Sequence, residues 1–268
     1  MDPIGDIIKQ VQDHVEYLRD EGMKDLEVDA QTAEMIRSSK PGAQPMPQRP
    51  TPIPAPRPVA AKPAAPPPPA ATVPVKTETT PALQDVARRV AACTLCPLHK
   101  TRTNTVPGQG HPHPEIMFIG EGPGADEDAQ GLAFVGRAGQ LLTKIIEAMG
   151  LTRGQVFIGN IVKCRPPDNR VPLPEEMQAC LPYLHEQIAL LKPKIIVALG
   201  ATAVKGLFQS PIGITKLRGQ WMSYQGIDCM PTFHPAYLLR NPPEKKWVWE
   251  DMKSVLARLG REPPPRAQ

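Results

Sequence analysis

Fifteen prolines fall between Pro41 and Pro81, among alanine, threonine and glutamine, and a run of that kind cannot supply a packed core. It carries Arg49, Arg57, Lys62 and Lys76 but a single acid, Glu78, and reads as an extended, partly polyproline tether. The tether divides the 268 residues into an N-terminal segment (1–40), a disordered Pro/Ala-rich linker (41–81), a folded domain (82–260) and a disordered tail (261–268). Ahead of it Ile4, Ile7, Ile8, Val11, Val15 and Leu18 recur at helical spacing, with Asp2 as N-cap and Pro3 in the first helical position. That predicts an amphipathic helix of about five turns, whose apolar stripe has to dock on a partner protein or on a second copy, or else fray. The N-terminus is polar and acidic, unlike a secretory leader, and no apolar run reaches membrane-spanning length, so no membrane association and a cytoplasmic location are expected. A formal charge of +4 permits nucleic acid as a partner without requiring it.

Hydrophobic residues make up 41% of the chain, enough for the remaining stretch to bury a sizeable core. EIMFIG (115–120), VFIGNIV (156–162), KIIVALG (194–200) and IDCMPTF (227–233) are short, apolar and β-branched, as strands buried on both faces are. Helical stretches lie between them at 137–150 and 174–191. The pattern predicts an α/β domain with a central, mainly parallel four-stranded sheet and helices on both faces. Ligands of such sheets sit beyond the strands' carboxyl ends, where this sequence places GEGPGADED, the stretch from Asn160 to Cys164, and HPAYLLRNP.

Five cysteines are an odd count for a disulfide scaffold. Cys93 and Cys96 form a C-x2-C pair, and with Cys164 and Cys180 they make four thiols that could close around one centre. Spacing does not choose between zinc and a [4Fe–4S] cluster, and Cys164 and Cys180 could equally be small buried apolar residues. Cys229 falls in a strand pattern and reads as core.

The loop Gly120-Glu121-Gly122-Pro123-Gly124 stands where a phosphate-binding loop would, yet Pro123 lacks an N–H, and Glu121, Asp126, Glu127 and Asp128 would repel phosphate. Carboxylates there suit the placing of a water or the steadying of a developing cation; a plain structural turn is the other reading. Phe134 offers a ring face to a base or plugs the loop from beneath. Asn160 lies inside an apolar strand, where its amide needs partners and fits a pyrimidine edge. His234, followed by Pro235, is either structural or held in one tautomer by a carbonyl-rich turn, with one ring nitrogen exposed.

Residues 82–260, through GEGPGADEDAQGLAFVGRAGQLL, NIVKCRPP, the four cysteines and HPAYLLRNP, resemble the family 4 uracil-DNA glycosylases. The resemblance implies a DNA-repair enzyme that flips deoxyuridine out of single- or double-stranded DNA and hydrolyses its glycosidic bond. It further implies a structural [4Fe–4S] cluster on Cys93, Cys96, Cys164 and Cys180. By the same resemblance Phe134 stacks on uracil, Asn160 bonds its polar edge, His234 contacts the carbonyl where charge builds, and Glu121 and Gly122 place the water. Glu127 is expected to crowd C5 against thymine, and Leu238, Leu239 and Arg240 to contact DNA. A related branch traps itself covalently through a histidine in a basic insertion; RPPDNRVPLPEE has no histidine at that place, so turnover is expected. Two other readings stand beside this one: a noncatalytic iron–sulfur DNA-binding module, and an enzyme for a different damaged base.

Overall fold

A computed structural model describes residues 80–210 and 212–265. The N-terminal helix and the linker through residue 79 lie outside the described residues, as do residues 266–268. Pro81, the last residue assigned to the linker by composition, is instead the first of helix α1 (Pro81–Ala91), because Thr80 caps it: its hydroxyl accepts from the Leu83 N–H at 3.3 Å.

Six strands form one sheet in the order β1-β3-β2-β4-β6-β5. The interior four, β2 (Ile116–Gly120), β3 (Phe157–Asn160), β4 (Ile195–Leu199) and β6 (Ile227–Thr232), run parallel and coincide with the four apolar runs. The expectation of four strands is corrected by two antiparallel edges, β1 (Gln109–Gly110) and β5 (Met222–Tyr224). Both are short and only partly buried, so neither leaves an apolar run to read. β5 does leave a turn signal. Gln225 and Gly226 both have positive φ, 51° and 81°, as a two-residue hairpin with the right twist requires.

The helices that follow are α2 (Ala125–Gln130), α3 (Arg137–Ala148), α4 (Pro174–Leu191), α5 (Gly200–Phe208), α6 (Ile214–Leu217), α7 (Pro235–Arg240) and α8 (Lys245–Arg258). α5 packs on β2, β4 and β6, α8 on β6, α4 against α1 and α5, and α3 against α7. Every residue of β2 and β4 is buried, which is why these strands read as continuous apolar runs rather than alternating ones. Past α8, Arg261 pairs with Glu115, so the ordered contacts extend beyond residue 260. Among the described residues no helix is long and apolar enough to cross a membrane.

The polypeptide leaves β2 for β3 on one side, then crosses over β2 to reach β4 on the other. The order reverses there, and ligands of such sheets bind at the carboxyl ends of the strands.

Candidate active site

A cavity of about 470 Å³ opens at the carboxyl ends of β2, β3 and β6, within the range that small-ligand sites occupy. It gathers Glu121, Gly122, Glu127, Phe134, Asn160, His234 and Arg240 from four separate stretches of sequence, with Pro166, Asn169, Arg170 and Val171 as a further wall.

Sheet register places the first two groups. Gly120 pairs with Asn160 across β2 and β3, and the pairing continues past the strands through Ile161 N–H to Gly120 C=O (2.9 Å) and Val162 N–H to Glu121 C=O (3.1 Å). Gly120 has to be glycine, because a Cβ there would lie 2.5 Å from the Phe134 ring and 2.6 Å from Asn160 Oδ1. The ring and the amide therefore converge on the same small patch of bare backbone. Phe134 itself is held at φ 53°, and Gly139 of α3 lets the helix sit directly on its backbone, where a Cβ would come within 2.0 Å of the Phe134 carbonyl carbon. Asn160 is 1% exposed and its Oδ1 has no hydrogen-bond partner. A buried acceptor left unpaired is costly in a folded protein, and this one borders a cavity.

His234 caps α7: its Nδ1 accepts from the Ala236 N–H at 3.1 Å. The tautomer is thus set by a backbone donor, not by the carbonyl-rich turn that the sequence leads one to expect, since Pro235 starts a helix whose first N–H groups need acceptors. With Nδ1 accepting, the proton of the neutral ring resides on Nε2. Burial, reinforced by the nearby Arg240 charge, pulls the imidazole pKa down to about 4, so the ring is neutral at pH 7. It stands 5.7 Å from the Phe134 ring, centroid to centroid. Two residues upstream, Thr232 donates to Asp251 at 2.6 Å, and Asp251 pairs with Arg218, which fixes the end of β6 to α8.

The acidic loop does not act as one block. Asp128 turns away to accept the N–H groups of Thr103 and Asn104. Glu127 accepts from Gly124 N–H at 3.1 Å and from Val135 and Gly136 N–H at 2.8 Å each. Its carboxylate clasps two loops and stands in the wall of the cavity. Glu121 accepts from the Thr202 hydroxyl at 2.5 Å, which joins the loop after β2 to α5. Leu238 requires a correction: it is 0% exposed in the core and cannot reach DNA from there, whereas Leu239 is half-buried and Arg240 exposed at the rim.

Three features escape a reading of the sequence. Thr202 looks like any helix residue, and only the strand order brings it to Glu121. Arg170 makes a two-pronged pair with the buried Glu176 at 2.7 and 2.9 Å, tying the 165–171 wall to the first turn of α4. Lys163 is a fully buried lysine. A charge between Val162 and Cys164 in an otherwise apolar stretch is the signal that could have found it.

Cys93, Cys96, Cys164 and Cys180 line one depression beside Arg102, Lys163 and Tyr183. None is in a disulfide. Arg102 Nη1 donates to Cys164 Sγ at 3.1 Å and the Lys163 peptide N–H to Cys180 Sγ at 3.3 Å. Burial pushes the Cys180 thiol up to about 11 and raises Cys164 and Cys96 too. Among the described residues no three Cys, His, Asp or Glu side groups are gathered to share a single metal ion. Cys229 is core in β6, as its apolar surroundings indicated.

Residues 107–253 match the family model of the Uracil DNA glycosylase superfamily. Three proteins similar to this one are type-4 uracil-DNA glycosylases. That of Thermotoga maritima is 46% identical over 186 residues, 67% of this chain and 96% of its own. That of Sulfurisphaera tokodaii is 49% identical over 183 residues, 65% and 83% of the two chains. That of Archaeoglobus fulgidus is 38% identical over 190 residues, 68% and 96%. With a superfamily match over more than half its length and relatives covered to 83% or more of their own, this chain belongs to the uracil DNA glycosylase superfamily, in its type-4 branch.

Proposed function

We propose that the cavity at the carboxyl ends of β2, β3 and β6 receives a deoxyuridine flipped out of DNA and hydrolyses its N-glycosidic bond, leaving an abasic site for base excision repair. The observation that carries this is the unpartnered Asn160 Oδ1 facing the same cavity as a neutral, Nε2-protonated His234.

The residues divide the work by chemistry. Phe134 gives the flipped base an apolar face, which offsets part of the cost of unstacking it. Asn160 Oδ1 takes the N3–H of uracil. Cytosine presents a lone pair at that position and would leave the buried oxygen facing another acceptor, so the amide discriminates as well as binds. As the glycosidic bond breaks, negative charge builds on the pyrimidine carbonyls and positive charge on the sugar. His234 Nε2–H donates to the carbonyl, and a fixed donor of this kind contributes about 3 to 4 kcal/mol, or 10²- to 10³-fold in rate. Glu121, steadied by Thr202, and the Gly122 backbone hold the water that completes hydrolysis. Arg240 at the rim contacts a phosphate, Leu239 occupies the gap the base leaves, and the walls clasped by Glu127 exclude the thymine methyl group. Both single- and double-stranded uracil-DNA are substrates, and the 165–176 stretch, without a histidine, leaves the enzyme free to turn over.

The four thiols fit a [4Fe–4S] cluster in kind, four sulfurs on one depression with two N–H donors directed at them, and a type-4 affiliation is compatible with one. Cys93, Cys96, Cys164 and Cys180 would hold it, and when bound it would supply a structural cross-link between the loop after α1, the loop after β3 and α4.

The test is excision from a labelled oligonucleotide bearing one uracil, read as alkali-labile cleavage, for wild type, Asn160→Ala and His234→Ala. Wild type is expected to cleave, and each variant to fall about 10²- to 10³-fold with its brown chromophore intact. A brown wild-type protein that binds this DNA without cleaving it would overturn the assignment in favour of a binding module.

A further inference from the structure

Lys163 is 0% exposed, yet nothing in the chemistry above uses it. Its Nζ donates to the backbone carbonyl oxygen of Asn160 at 2.8 Å and to Gln187 Oε1 at 2.7 Å. Gln187 in turn donates to the Pro107 C=O at 2.6 Å, and the neighbouring Val106 N–H donates to the Lys163 C=O at 2.8 Å. A closed ring of hydrogen bonds results, joining the end of β3, the middle of α4 and the residues just before β1. The Lys163 peptide N–H also donates to Cys180 Sγ at 3.3 Å, and Cys164 is the next residue.

An amine sealed from water costs several kcal/mol and is retained only with good partners. A leucine or methionine would fill the same volume without that cost, so the ammonium's hydrogen bonds are what the position supplies. Of its two acceptors, one is the peptide oxygen of the residue whose amide faces the base. Fixing that carbonyl fixes the Asn160 backbone and so the direction of its Cα–Cβ bond; the Ile161 and Val162 N–H groups bond back to the β2 side, to Gly120 and Glu121 C=O, while the Asn160 carbonyl is held by the lysine.

We infer that Lys163 is a positioning residue for base recognition: it clamps the Asn160 peptide to α4 and the cysteine depression, so that the carboxamide keeps its aim into the cavity. This rests on the reading of Asn160 as the uracil-binding amide. The coupling runs through the backbone, so a change at the cysteines reaches the base cavity along residues 160–164.

The decisive experiment is a double-mutant cycle on Lys163→Met and Asn160→Ala, both in the full-length protein. Iron content, visible absorbance, excision rate and inhibition by free uracil are measured for each protein. Free uracil reports on the base contacts without any chemistry. Lys163→Met is expected to keep wild-type iron content, to lose about 100-fold in excision, as a misplacement of about 1 Å does, and to weaken uracil inhibition in parallel. In the Asn160→Ala background the same substitution is expected to cost almost nothing further. If Lys163→Met costs the same with or without Asn160, or leaves uracil inhibition unchanged, the positioning role is overturned. Should Lys163→Met be isolated only without iron, Gln187→Met, which frees one end of the clamp, replaces it in the same cycle. A smaller loss confined to the Asn160 background supports the inference, and an equal loss in both backgrounds or none at all overturns it. A wild-type protein that neither excises uracil nor is inhibited by it would overturn the reading of the cavity instead.

Discussion

The base cavity and the cysteine depression lie at opposite ends of one short stretch, Asn160 to Cys164, and are built in opposite ways. The cavity is lined by polar groups that serve no packing role there: Asn160 Oδ1, which has no partner, and beside it the ring of His234 and the carboxylate of Glu121. The depression presents thiols whose polar neighbours, Arg102 and the Lys163 peptide, are already spent on sulfur. One region leaves a buried acceptor unsatisfied beside an open cavity, while the other brings four thiols from separated parts of the sequence to one depression. Substitutions in the cavity should therefore change rate at nearly constant stability, and substitutions in the depression should change both.

Cys164→Ser gives the largest effect and the most direct way to break that comparison. If the four thiols hold the proposed cluster, loss of one of them removes the chromophore and the cross-link with it, and a buried hydroxyl is left in place of the sulfur. Excision, iron content and solubility are expected to fall together, measured by absorbance and by the soluble fraction after expression. Retention of full excision by an iron-free Cys164→Ser protein would show that the depression does not support the cavity at all.

The adjacent leucines sharpen the same division within α7. Leu238→Ala should cost about 2 to 5 kcal/mol of stability, as deletion of a fully buried leucine does, with DNA affinity little changed. Leu239→Ala, at a half-buried position, should leave the stability within about 0.5 kcal/mol of wild type and weaken binding to duplex uracil-DNA. The reverse pattern, read by denaturant titration and DNA binding side by side, would put Leu238 back at the interface.

Gly120→Ala tests how closely the cavity is tuned. The added methyl group has to displace the Phe134 ring or the Asn160 amide, and a shift near 1 Å in either should lower excision about 100-fold. Free uracil should inhibit the variant less. Unchanged kinetics would mean that the ring and the amide move apart freely and are not held in a fixed arrangement.

The two regions also differ in how far their residues declare themselves in the sequence, and the reason is physical. Cys93, Cys96, Cys164 and Cys180 are recognisable by residue type and by the C-x2-C spacing, since thiols have few other uses in such a pattern. The interior strands are legible because strands buried on both faces are apolar throughout, whereas β1 and β5, two and three residues long, carry no such run. In the cavity, residue types single out Asn160 and His234, but not what fixes them. Thr202 meets Glu121 only through the strand order, and Lys163 meets Asn160 by folding back over three residues. His234 is fixed by a helix start, which the Pro235 signal does not distinguish from a turn. Leu238 is misassigned from sequence, and the clasping of two loops by Glu127 is missed, for a related reason. A carboxylate and a leucine look the same there whether they face a substrate or their own backbone and core.

The smallest expected effect separates His234 as a donor from His234 as a cap. Its pKa in the folded protein is held down to about 4 by burial, with Arg240 adding to it, against 6.5 for the ordinary imidazole. As pH falls below 6.5 the unfolded state takes up a proton that the folded state refuses, so the stability contributed by the neutral ring is complete above that pH and is lost on the way down to about 4. Between pH 7 and 5 this amounts to at most about 2 kcal/mol, reduced by the ring's partial contact with solvent. His234→Asn keeps an oxygen that can accept the Ala236 N–H, and so keeps the cap, but has no proton to gain. Wild type should then lose up to about 2 kcal/mol more than His234→Asn over that interval in denaturant titrations, and the excess should vanish above pH 7. Identical pH dependence in the two proteins would mean that the folded imidazole titrates normally. His234 would then act on uracil as a cation in part of the neutral range, and the rate should rise on acidification instead of staying level down to pH 5.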